Sequence, residues 1–116
     1  MKKKTLFFML MTFFTINLFA STQDEISHLL DYVGITECKY ERNGTLYNGA
    51  EAANHINKKY DYYRNKVQTA EDFIEYAATK SVFSGKYYLI HCNDNPPVKS
   101  QDWLSAELVR YRDTQK

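Results

Sequence analysis

Glycine and proline are scarce in this chain, at four and two of 116 residues, and so are cysteine, at two, and tryptophan, at one. Four scattered glycines cannot build a phosphate-cradling loop. Neither a Gly-x-Ser-x-Gly elbow nor a His-Glu-x-x-His pair occurs, so the commonest catalytic signatures are excluded. There is no internal repeat and no Pro- or Ser-rich linker, and the length allows one domain. Long apolar runs are missing apart from Leu6 to Phe14, near the start.

That run follows Lys2, Lys3 and Lys4 and leads through Thr15-Ile16-Asn17-Leu18-Phe19 to Ala20 and Ser21. A charged start, an apolar stretch and a small residue at the cut form a secretory signal, expected over residues 1–20, with cleavage near Ala20. The competing reading is an uncleaved anchor. A spanning helix wants about 20 apolar residues, and Thr12, Thr15 and Asn17 interrupt this one. Residues 21–116 are then a single domain with no membrane span. Without the three lysines of the leader, Lys+Arg falls from 15 to 12 against 14 Asp+Glu, a net charge of −2. No basic field remains to draw in a phosphate backbone, which excludes nucleic acid as a partner.

All three methionines and five of seven phenylalanines leave with the leader, so ten tyrosines dominate the remaining aromatics. A tyrosine hydroxyl needs water or a partner, so the core is expected to be thin, with rings at its edge. Cys38 and Cys92 are an isolated pair in a chain addressed to an oxidising compartment and are expected to form a disulfide. A metal site from Cys38, Cys92 and His91 is the alternative. It is disfavoured because neighbours on a strand point to opposite faces, and no metal or other cofactor is expected.

Along the domain, Thr22 and Glu25 form a capping box before Ile26, Leu29, Leu30 and Val33, predicting a helix over 23–33 closed by Gly34. Residues 36–42 alternate as a half-buried strand, Asn43-Gly44 is a hairpin turn, and Leu46-Tyr47 returns. Asn48 caps a second helix running to Asn65, with Glu51 completing the box. Thr69 caps a third helix over 70–79. Tyr87 to Cys92 is the most strand-like run, and Ser100 caps a last helix carrying Trp103, Leu104, Leu108 and Tyr111. The fold class is α+β: about four helices packed on a short three-stranded antiparallel sheet.

One polar cluster stands out. Glu51, His55 and Lys59 recur every four residues on one helix face, and the preceding turn carries Arg42 and Asn43. If the hairpin folds back, Arg42 approaches Glu51 beside a histidine, an arrangement suited to a small anion or to acid/base work. The competing reading is structural: Glu51 closes a cap, His55 bonds within the fold, and Arg42 is a solvated strand-end charge. His28 and His91 read as surface residues.

Tyr40-Glu41-Arg42-Asn43-Gly44, Tyr47, Glu51-Ala52-Ala53-Asn54-His55-Ile56 and Lys59 resemble the core motif of the YfeK-like family, a domain of unknown function. Thr69 to Ile74, Ser84-Gly85 with Tyr88, and Trp103-Leu104 match later blocks of the same family in order. The resemblance implies a Gram-negative, periplasmic address and supplies no activity. Tyr60-Asp61-Tyr62-Tyr63 departs from the family pattern. The expected function is a non-enzymatic binding or accessory protein of the bacterial envelope, its partner an envelope protein or small ligand. The alternative is a small-anion or acid/base enzyme site built on Arg42, Asn43, Glu51 and His55.

Overall fold

The computed structural model describes Leu10 and residues 20–116; the secretory segment read above falls almost wholly outside them. The first helix, α1, spans Thr22–Ile35 and starts one residue earlier than its sequence signal. Ser21, not Thr22, is the cap: its hydroxyl accepts the Asp24 amide at 3.1 Å, and the Asp24 carboxylate accepts the Ser21 amide at 3.1 Å. Glu25 is thereby released from capping. It is buried, and Arg112 donates to both its oxygens at 2.7 and 3.0 Å. Gly34 does not stop the helix; Thr36 is its C-cap. A Cβ on Gly34 would lie 3.7 Å from that of Ala53, an ordinary contact, so neither a helix stop nor close packing requires glycine there.

Strand β1 is Lys39–Arg42 and β2 is Thr45–Tyr47. β1 begins later than expected because the Cys38 amide donates to Thr36 Oγ1 at 3.2 Å, turning the backbone away from a ladder. Asn43 and Gly44 both have positive φ, 52° and 81°, as a two-residue turn of the kind that matches strand twist requires. Helix α2 is Gly49–Tyr63, and a 3₁₀ turn follows at Arg64–Lys66. Helix α3 is Ala70–Ala77, capped by Thr69 as predicted. Strand β3 is only Leu89–His91: Tyr87 makes a lone bridge with Lys80, and the Tyr88 amide turns to the Thr79 carbonyl at 3.0 Å.

A further strand, β4, Val98–Lys99, leads into helix α4, Ser100–Thr114. The sheet therefore has four antiparallel strands in the order β2-β1-β3-β4, not three. Two residues after a proline pair carry no periodicity from which β4 could be read. Ser100 is not a cap. It is fully buried, and its hydroxyl donates to Tyr40 Oη at 3.1 Å.

The helices lie on one face of this sheet. Ile26, Leu29 and Val33 of α1 meet Ala52, Ile56 and Tyr60 of α2, with Phe73, Ile74, Leu104 and Leu108 completing the core. Tyrosines enter it more deeply than composition suggested: Tyr40 and Tyr88 are 1% and 2% exposed. Ser100 supplies the partner the first hydroxyl needs. On the opposite face of the sheet, His91 and Glu41 pair at 2.9 Å.

Cys38 and Cys92 are joined, with Cα atoms 4.5 Å apart across a sequence separation of 54. Closing such a loop contributes about 4 kcal/mol in the chain-entropy model. Both sulfurs are taken up by the bond, which removes them as metal ligands.

Gly49 fixes the meeting of α1 and α2. A Cβ there would lie 2.5 Å from the Val33 carbonyl oxygen and 2.9 Å from that of Thr36, both backbone atoms that cannot step aside. Gly49→Ala should therefore destabilise the fold by about 1–3 kcal/mol, the usual range for overpacking, although alanine is the better helix former. Chemical denaturation beside the parent protein measures this; an unchanged or raised midpoint would show that the helices do not approach as described.

Candidate functional site

Helix α2 presents one turn after another to the end of β1. Its cap is reciprocal: Asn48 Oδ1 accepts the Glu51 amide at 2.8 Å, and Glu51 Oε1 accepts the Asn48 amide at 3.1 Å. One turn on, His55 faces Arg42, whose guanidinium donates to His55 Nδ1 and to the Tyr47 hydroxyl at 3.5 Å. The guanidinium also lies 5.1 Å from the centre of the Tyr47 ring. Arginine can only donate, so Nδ1 is the acceptor and the imidazole proton sits on Nε2. That N–H donates to the Tyr88 hydroxyl at 3.3 Å. One further turn along α2, Lys59 Nζ donates to the same hydroxyl at 3.0 Å and to the Lys80 carbonyl at 2.8 Å.

The Tyr88 oxygen thus accepts twice, and its own O–H finds no acceptor among the described residues. Arg42, Lys59 and Tyr88 form a set of donors around one neutral histidine. Two clefts flank this set. The larger, about 550 Å³, is lined by Arg42, His55, Lys58 and Lys59 together with Tyr62, Val82 and Phe83. No carboxylate lines it. The smaller, about 280 Å³, shares Arg42, His55 and Lys58, and adds Glu51.

Electrostatics follow from this crowding of cations. Burial first, and then the charges of Arg42, Lys59 and Lys58, push the His55 imidazole down to about 4. Burial and Arg42 bring the Lys59 ammonium down to about 8. Burial pushes the Tyr88 phenol up, against the pull of Arg42.

Of the four residues singled out in the sequence, Arg42 and His55 are in direct contact. Asn43 lines the larger cleft, but its amide is spent elsewhere: it donates to Ser81 Oγ at 3.3 Å and accepts from Ser84 Oγ at 2.6 Å. Glu51 sits across Arg42 in the smaller cleft with its carboxylate engaged in the cap, so the arginine meets the histidine and not the acid. Lys58 carries no signal in the sequence, whereas Lys59 does, through its four-residue spacing from His55. Tyr88 reads only as part of a family block and a strand, not as a site residue. The other histidines lie apart from the site. His28 is no free surface residue: its Nε2 is 2.6 Å from the buried Glu107, and its ring stacks on Tyr111 at 4.0 Å.

A lowered histidine has a definite consequence for stability. Between about pH 6.5 and about pH 4 the unfolded chain binds a proton at His55 that the folded chain refuses, so stability falls as pH falls through that window. The His55 Hε1 resonance should titrate near pH 4, and His55→Gln should flatten this acid limb relative to the parent. A midpoint near 6.5 would refute the burial and charge described here.

Comparison with known proteins adds family but no activity. A segment of 49 residues is 41% identical to the uncharacterised protein YfeK of Salmonella typhimurium strain LT2, covering 42% of this chain and 41% of that protein. No solved structure matches. The profile of the family of unknown function DUF5329 matches residues 20–112, and the chain belongs to that family, the YfeK-like group.

Proposed function

We propose that this is an exported, non-enzymatic binding protein of the bacterial envelope that holds a small anion in the larger cleft, between Arg42, Lys58 and Lys59. The observation that carries the reading is the imbalance of the larger cleft: three cations and an unspent tyrosine O–H line it, and no carboxylate does. Glu51, in the smaller cleft, is engaged in the α2 cap. Positive charges gathered without a counter-ion raise the energy of the empty site, and an oxyanion relieves it by accepting from all of them. Acid/base catalysis fits less well. Both nitrogens of His55 are engaged and Glu51 is held by the cap, which leaves no group poised to take a substrate proton.

Periplasmic export rests on residues 1–20 and is favoured by the disulfide, which persists in oxidising compartments. Cleavage after Ala20 would leave Ser21 as the first residue, its amino group beside the Asp24 carboxylate that already accepts from Ser21 N. Intact-mass measurement of the periplasmic protein should give a chain starting at Ser21. A full-length species in the membrane fraction would refute the cleaved form.

Sulfate tests the anion site, because it keeps its charge at every relevant pH. Saturable binding by calorimetry should weaken as pH rises through about 8, where Lys59 loses its proton. Lys58→Glu, at an exposed position, should weaken it about tenfold, and Lys59→Met at least as much. Binding that is absent, or indifferent to both substitutions, would remove the reading.

A further inference from the structure

The larger cleft holds far more than an oxyanion needs. Its volume of about 550 Å³ lies in the range of roughly 300–1,000 Å³ typical of clefts for drug-sized molecules, well beyond one tetrahedral anion. Its lining also carries uncovered apolar side chains: Tyr62, one turn beyond Lys58 on α2, and Val82 and Phe83 are 78%, 68% and 102% exposed. Three exposed apolar side chains lining one cleft beside cations form a patch suited to a ligand rather than a single stray residue.

The loop bearing it is tied down. Asn43 bridges Ser81 and Ser84, Ser81 N donates to the Lys86 carbonyl at 3.0 Å, and Gly85 N donates to the Ser81 carbonyl at 3.0 Å. Gly85 takes the positive φ, 69°, that closes the turn. The backbone that carries Phe83 is thus held in place, and Phe83 lines the same cleft as Lys58 and Lys59.

We propose that the ligand is a single-chain amphiphile: a phosphate head held by Arg42, Lys58 and Lys59, and an apolar tail laid along Val82, Phe83 and Tyr62. This deepens the anion reading and rests on it. A head group alone leaves Tyr62, Val82 and Phe83 wet, and a neutral chain alone leaves the cations uncompensated. The joined ligand satisfies both sets of side chains in one cleft. It is taken as a monomer, because ligand clefts of about 300–1,000 Å³ enclose molecules of drug size.

The test compares decyl phosphate, kept below its micelle threshold, with inorganic phosphate, decyl maltoside, and vesicles of phosphatidylglycerol or phosphatidylcholine, by calorimetry on the mature protein. Decyl phosphate should bind at least tenfold more tightly than either inorganic phosphate or decyl maltoside. Phe83→Ser, at a fully exposed position that the fold does not need, should reduce the preference for decyl over inorganic phosphate about tenfold. Equal binding of the two phosphates would overturn the tail while leaving the anion site standing. Decyl maltoside binding as well as decyl phosphate, or no binding of either phosphate, would overturn both readings. Capture by phosphatidylglycerol vesicles without decyl phosphate binding would overturn the monomer in favour of a membrane surface.

Discussion

The turn at Asn43-Gly44 decides which face of β1 looks toward the helices. With two residues in left-handed backbone, Arg42 stands opposite Thr45 and Tyr40 opposite Tyr47, and the register cannot slide without reopening the turn. Side chains alternate along a strand, so Tyr40 and Arg42 share the inward face while Lys39 and Glu41 look away. Tyr40 reaches the centre of the core. Arg42, two residues nearer the edge, reaches only its margin, where His55 waits on α2. A slip of one residue would exchange these faces, bringing Glu41 under α2 and leaving Tyr40 in water.

The protein treats its buried charges in two ways. Buried acids are met by bases: Glu25 by Arg112, and Glu107 by Arg110 and His28. Arg110 and His28 hold the Glu107 carboxyl below its usual range against its own burial. Around His55 the opposite holds, with cations facing one another and tyrosine hydroxyls. The domain is net negative, so this positive corner is local and owes nothing to overall charge. Placing it beside the turn and α2, which are both fixed by backbone geometry, keeps like charges together that would otherwise swing apart.

Much of this was legible from residue order. Helix faces, the Asn48 and Thr69 caps and the hairpin turn each have a local signal, and local signals survive folding. What failed was decided at a distance. Ser100 has the propensity of a cap, but Tyr40, 60 residues away in sequence, has a hydroxyl to satisfy inside the core. Glu25 fits a capping box, yet Ser21 and Asp24 form one a residue earlier, and the carboxylate goes to Arg112. Gly34 resembles a helix stop because glycine usually is one, yet α1 runs through it to Ile35; the glycine that lets α1 and α2 meet is Gly49. Of the site, the Glu51–His55–Lys59 spacing could be read, whereas Tyr88 could not, since only the pairing of β3 with β1 brings it under His55.

The bonds from α1 to α4 bear on the order in which the chain can become itself. Glu25 and Arg112 are separated by 87 residues, and His28 and Glu107 by 79. During synthesis the first helix of the domain emerges with its acid unmatched and one face bare, and it stays so until α4 arrives. Contacts of such long span are slow to close. The hairpin and α2 are neighbours in sequence and can settle against each other first. The Arg42–His55 contact joins elements close in sequence. Tyr88 and the 81–84 turn, 29 to 41 residues from their partners on α2 and at Asn43, complete the cationic corner only with the third strand, and the last helix then closes the core.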